Sequence, residues 1–362
     1  MIPAELSTMF IDLNVSTALQ VVVLGFVGGV LSGFIGSGGA FFMTPGMMNL
    51  GVPGVVAVAS NITHKFGKAM VGSRRHGEMG NVDRKLAFFL VGTSFVGIRL
   101  AVWINSLLFE GGTGHGEGKG AGANLYISMV FVCILSIVAV SMLRDIVKSR
   151  KSEDAKPSRK IVDFLGRFNL PPMISFDQSL VPGGRRISAW FLIASGFLVG
   201  FAAAIMGVGG GFLTFPIFVY TLGVSSMTTV GTDIFQIVFT AGFAAISQYA
   251  IYGFIFYTLA MGMLIGSLFG VQVGAMVTKV VPGITIRGFY SMAVLAGFVN
   301  RIFALPAKLG EMGVIPISRQ TGAVLESIGV WAFFIVIGGF SAWVIGTFLG
   351  NLGVLKGEEG RS

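Results

Sequence analysis

Few side chains in this 362-residue sequence could do chemistry, and most of them stand inside apolar runs. Asp233 and Arg99 are ionisable groups in the middle of such runs. That placement is tolerated where the charge meets a partner, an ion or a water-filled path. Thr232 and Gln236 are four residues apart, and Ser60 and His64 repeat that spacing 172 positions earlier, so each pair shares one helical face. Asn61 stands where Asp233 stands in the later stretch, and Gln272 stands where Arg99 stands in the earlier one. Groups of this kind can line the path of an ion or small solute. Asp233, unlike Asn61, can also carry a proton, which makes it the candidate for proton coupling. Arg99 can meet an anion, pair with Asp233, or extend to the membrane surface. The competing reading of Ser60, Asn61, Thr232 and Asp233 is capping of a helix that restarts after a break. Lys65 and Lys68 are expected to snorkel, and Glu326 to be interfacial. Catalysis is not indicated. The three histidines (His64, His76, His115) are scattered, and no paired His/Glu spacing occurs. The single Cys133 excludes a cysteine cluster and is expected to fill space in a helix interface. No catalytic residue, cofactor or metal is expected.

The elements that must position these groups are marked by a doubled stretch. Gly36-Ser37-Gly38-Gly39-Ala40-Phe41-Phe42-Met43-Thr44-Pro45 returns as Gly207-Val208-Gly209-Gly210-Gly211-Phe212-Leu213-Thr214-Phe215-Pro216. Each copy interrupts the apolar pattern. Lipid offers no hydrogen bonds, so irregular backbone at membrane depth survives only when buried in protein or lining a polar cavity. Ser37, Gly38, Gly39, Gly209, Gly210 and Gly211 would let a ligand approach main-chain N–H groups. Short helices restarting near Phe41 and Phe212 would aim their N-termini at the same point, a geometry that suits an anion. Close helix packing is the other use of such glycines, but it explains neither the interruption nor the proline that follows in both copies.

Composition agrees with this setting. The chain is 54% hydrophobic and 11% charged, with 54 Gly and 33 Phe, and its mean hydropathy is +0.84. Those values exclude a soluble globular protein and predict an all-α polytopic membrane protein. Apolar runs fall at about 15–35, 40–50, 55–71, 86–107 and 124–143, then at 188–206, 211–222, 227–249, 257–279, 285–303 and 321–350. The second set repeats the first. At an offset of 171, Gly25-Phe26 matches Gly196-Phe197, Gly29 matches Gly200 and Gly36 matches Gly207. The offset becomes 172 at Gly51/Gly223 and 173 at Gly80/Gly253 and Gly97/Gly270. The expected organisation is a first transmembrane repeat over 1–143, a basic linker over 144–187, a second repeat over 188–305, and an extra C-terminal helix and tail over 306–362.

Charge places the repeats in opposite senses. Residues 1–20 hold no Lys or Arg, whereas ten of the 25 lie between 144 and 187. The loop near 72–85 is basic, and its counterpart near 250–256 has no Lys or Arg. Cytoplasmic loops collect Lys and Arg, so the repeats read as inverted, with the N-terminus outside and the linker inside. The first apolar run, with no basic region before it, reads as a retained span. Arg301, Lys308 and Arg319 dissent, falling outside on this scheme. The Gly-rich 111–120 segment, with His115, reads as an exterior loop. The basic linker is read as reporting orientation rather than binding nucleic acid, and Gly-x-Gly-Gly lacks the Lys-Ser/Thr of a nucleotide loop.

The doubled Gly-Phe, Gly-x-Gly-Gly, Phe, Pro and Gly-Val pattern, with a small polar pair after it, resembles the TauE/SafE family of permeases, the sulfite exporters, over about 20–305. The first copy departs from the pattern in reading Gly-Ser-Gly-Gly-Ala. The resemblance implies a bacterial inner-membrane carrier for sulfite, organosulfonates or related small anions, often proton-coupled. Its partners would be the small anion and the bilayer. An anion channel and a permease for a non-sulfur solute are the alternatives.

Overall fold

The computed structural model describes residues 14–36, 43–110, 121–149, 160–165, 170–176, 185–207, 211–246, 250–311 and 313–359. Among these the chain is helical apart from one hairpin. The helices are α1 (Val15–Ile35), α2 (Met43–Asn49), α3 (Gly54–Glu78), α4 (Arg84–Glu110), α5 (Ala121–Ser149) and α6 (Lys160–Leu165). A hairpin of β1 (Met173–Phe176) and β2 (Arg185–Ser188) follows. Then come α7 (Ala189–Met206), α8 (Gly211–Pro216), α9 (Ser226–Ala244), the single turn α10 (Ala250–Tyr252), α11 (Tyr257–Val277), α12 (Gly283–Glu311), α13 (Arg319–Gly350) and α14 (Leu352–Glu359). Seven of these are long and apolar enough to cross a membrane: α1, α4, α5, α7, α11, α12 and α13.

Polar side chains set the ends of the long helices. Asn14 accepts from Thr17 N–H at 2.9 Å to start α1, and Ser225 accepts from Thr228 N–H at 3.2 Å to start α9, each satisfying an otherwise unbonded donor. Gly36 and Gly207 stop α1 and α7 at φ values of 85° and 70°. Side chains rarely adopt such angles, which is why glycine stands there. Beyond each stop the chain re-enters as a short helix: α2, and α8 running into a π-helical turn over Ile217–Leu222. Pro216 lies at the junction of α8 and that turn, where its missing N–H and ring disrupt regular α-helical bonding.

The same contacts occur twice. Helix α1 packs on α11, and its counterpart α7 packs on α4, the counterpart of α11. A Cβ at Gly270 would overlap the Phe26 carbonyl, and one at Gly97 would overlap the Phe197 carbonyl. Gly29 meets the Ser267 backbone, and Gly200 meets the Ser94 backbone. Each partner is displaced by its own repeat offset, so glycine permits one close helix crossing that is built from both halves. Helix α13 covers the outside of α1 and α12, where Phe34 meets the rings of Phe289, Phe340 and Trp343 at 5.8, 5.7 and 5.9 Å.

Several expectations change here. The linker holds a two-stranded antiparallel sheet, with Met173 opposite Ser188 and Phe176 opposite Arg185. Ile174, Phe176 and Ile187 bury their side chains against Leu86, Leu90, Phe218 and Leu222, so the hairpin docks on the helices. The boundary expected at 305 falls inside α12, which runs on to Glu311 with Pro306 in it. Arg301, one of the cations that dissent from the charge scheme, is fully buried in that helix. Cys133 faces outward instead of filling a helix interface. His115 and the 111–120 segment lie outside the described residues.

Candidate functional site

Helices α3 and α9 carry the polar residues, and each lies against the break of the other half. Asn61 on α3 donates from Nδ2 to the Gly207 carbonyl at 2.9 Å and to Thr44 Oγ1 at 3.0 Å. Thr44, on the short helix α2, donates in turn to the Met206 carbonyl at 3.1 Å. One amide thus ties the first short helix to the end of α7, using carbonyls that a terminating helix leaves unbonded. Asp233, the counterpart of Asn61, lies beside Gly36, where an added Cβ would be 3.2 Å from Oδ2. Its Oδ1 accepts from Gln236 Nε2 at 3.1 Å. The two breaks therefore meet chemically different neighbours: a neutral donor at the second and a carboxyl at the first.

Ser60 and Thr232 divide from that pair. Helix α3 starts at Gly54 and α9 at Ser226, so none of Ser60, Asn61, Thr232 or Asp233 caps its own helix. Ser60 Oγ instead accepts from Phe256 N–H at 3.0 Å, just ahead of α11. Thr232 Oγ1 accepts from Asp83 N–H at 2.8 Å, just ahead of α4. Both are caps supplied across the halves. His64 Nε2 bonds Ser267 Oγ on α11 at 2.7 Å, fixing the helix that carries the close glycine crossing.

Two expected members lie elsewhere. Arg99 is exposed on α4, whereas Asp233 is fully buried on α9. Gln272 is exposed on α11 and donates to its own helix at the Leu268 carbonyl, 3.0 Å away. Helical phase turns both outward, because positions 99 and 272 lie two residues past the inward-facing Gly97 and Gly270. Ser37, Gly38, Gly39, Gly209 and Gly210 lie outside the described residues, whereas Gly211 opens α8 and is buried.

The structure adds members to the candidate site. Lys65 and Lys68 do not snorkel: they are 0% and 2% exposed, and neither Nζ has a hydrogen-bond partner among the described residues. Asn61, Lys65 and Lys68 stand at i, i+4 and i+7, one face of a helix, and that spacing is the signal the sequence holds. Both lysines line a cavity of about 10 Å³ with Ser32, Ile234, Ile237 and Val271, room for roughly one water. Helix α12 braces both short helices. Tyr290 donates to the Phe212 carbonyl and stacks on Phe215 at 4.4 Å. Arg301 donates to Asn49 Oδ1 at 2.7 Å and to Asn300 Oδ1 at 2.9 Å. Nothing in the sequence marks these bracing roles, since the partners are remote in the chain. Among the described residues no group of three His, Cys, Asp or Glu could hold a metal ion.

Comparison with known proteins follows the same lines. The chain is 26% identical over 261 residues to the "Probable membrane transporter protein YjnA" of Bacillus subtilis (strain 168), covering 71% of this chain and 89% of that protein. It is 30% identical over 122 residues to the "Probable membrane transporter protein ORF9" of a Sinorhizobium species, covering 34% and 45% of the two chains. No solved structure matches it. The profile described as Sulfite exporter TauE/SafE matches residues 21–301. Seven membrane-length apolar helices, two interrupted ones and that match over most of the chain lead to one conclusion: this is a multi-pass membrane transporter belonging to the TauE/SafE sulfite exporter family.

Proposed function

We propose that this transporter carries a small anion, sulfite or an organosulfonate, across the bacterial inner membrane by alternating access. Two inverted repeats rock about the polar cluster, with Asp233 as the proton carrier. The N-terminus faces out and the 144–187 linker faces the cytoplasm.

One observation carries the anion: the imbalance of buried charge. Among the described residues, Lys65, Lys68, Arg287 and Arg301 are buried basic side chains, and Asp233 is the one buried acid. Buried charge is costly unless compensated, so an interior with this excess of positive charge favours a negative solute. The glycine breaks, each against the other half's polar helix, supply backbone that can approach that solute. Asn61, Lys65 and Asp233 have no exposure, which supports a carrier with a closed central site over an open pore.

The test is flux into vesicles reconstituted with purified protein. Saturable sulfite or sulfonate uptake that depends on a proton gradient is expected, and non-saturating, voltage-driven current would sink the carrier reading. Gly39→Val or Gly210→Val should abolish uptake while leaving folded protein in the membrane. Asp233→Asn should flatten the pH profile of uptake; an unchanged profile would remove its proton role.

A further inference from the structure

We propose that Lys65 and Lys68 are the counter-charge of a single compact anion that binds between α1, α3, α9 and α11 once these helices part, the cavity they enclose in this structure having room for roughly one water. This rests on the anion-carrier reading above and specifies where its site lies.

The lysines differ from the other buried cation of known pairing. The Arg301 guanidinium donates to Asn49 and Asn300 and contacts Met48 Sδ at 3.7 Å, so its donors are already used in bracing α2. The two ammonium groups have three donors each and no hydrogen-bond partner among the described residues. They are also like charges on one helical face, three residues apart, a spacing that brings side chains together and that like charges destabilise. An anion between them would supply what burial, unfilled donors and repulsion each lack.

The cavity is central. Lys65 and its repeat counterpart Ile237 both line it, so it lies where the two halves meet, the position that alternating access requires. Besides the two lysines and Ile237, the walls are Ser32, Ala69, Ile234 and Val271. Apolar walls with two ammonium groups strengthen attraction to an anion by excluding water. Lysine presents a compact point charge with rotatable donors, not the planar fork of arginine, which suits a small ion and does not select for planarity. Asp233 is close enough to act on Lys65. With that carboxyl ionised, two ammonium groups and one carboxylate leave one net positive charge, which a single monoanion balances.

The experiment uses the full-length protein, purified in detergent for thermal melting and reconstituted for flux. At mildly acidic pH, where sulfite is chiefly hydrogen sulfite, added sulfite should raise the melting temperature of the wild type in a dose-dependent way. Sulfate at equal ionic strength should do so less. Lys65→Met and Lys68→Met should remain folded, lose the sulfite-dependent shift, and lower flux at least tenfold. Lys85→Met, at an exposed position on α4, should keep the shift. Retained shift and flux in both lysine variants would overturn this site while leaving the anion carrier standing. A wild type that shows neither shift nor flux with sulfite, a sulfonate or sulfate would overturn both. Equal stabilisation by sulfate would overturn the monoanion balance.

Discussion

The substitution Asn61→Asp isolates the chemistry that distinguishes the two halves, because it gives the first half the residue type of the second without changing side-chain shape. Asn61 Nδ2 donates two buried hydrogen bonds, at 3.0 Å to Thr44 Oγ1 and 2.9 Å to the Gly207 carbonyl. An ionised aspartate has no donor. The Thr44 hydroxyl could turn toward the new carboxylate, but it would then leave the Met206 carbonyl that it serves at 3.1 Å. In either arrangement two buried acceptor contacts lose their donor. Each buried group left unsatisfied costs about 1–3 kcal/mol, so the variant should lose about 2–6 kcal/mol. Against a total stability of about 5–15 kcal/mol that is a large share. In a chain of this size about 1 kcal/mol corresponds to about 2 °C. Thermal melting of detergent-purified protein at alkaline pH should therefore show a fall of about 4–12 °C. A proton on the introduced carboxyl restores one donor, so the fall should shrink as pH drops. If the Asn61→Asp protein melts within about 1 °C of wild type at alkaline pH, the amide is not what ties α2 to the end of α7.

Paired contacts elsewhere are open to the same treatment. Ser60→Ala and Thr232→Val each remove the acceptor for one N–H ahead of a long helix, Phe256 or Asp83. Each should cost about 0.5–2 kcal/mol, as lost caps do; because the sites are separate, the double variant should lose the sum of the two, measured by melting. Gly270→Val places side-chain atoms on the Phe26 carbonyl, backbone that cannot rotate away. It should cost more than the about 1–3 kcal/mol of ordinary overpacking. Gly338→Val, at a glycine where an added Cβ meets nothing, should leave the yield of monodisperse protein unchanged, and equal yields for the two variants would refute the close crossing.

Class, repeat and breaks are all legible along the chain without any fold. Apolar runs long enough to span a bilayer and the recurrence of Gly36 and Gly207 are local properties, set by hydrophobicity and by the backbone freedom that only glycine has. Asn61 and Asp233 are legible as candidates because polarity inside an apolar run stands out against its neighbours. Which way a side chain faces, and whom it meets, is settled only by packing. Arg99 stands mid-run in the sequence and Lys65 is expected to snorkel, yet Arg99 is exposed and Lys65 is wholly buried. The phase of each helix against its partners separates them. Glycine crossings such as that of Gly97 against α7 set the rotation of α4 and turn position 99 outward, and the packing of α3 on α9 and α11 encloses position 65. Tyr290 and Arg301 act on carbonyls and amides far away in the chain. Such partners exist only once the helices are packed, because lipid supplies no hydrogen bonds and every buried donor must find its acceptor within the protein.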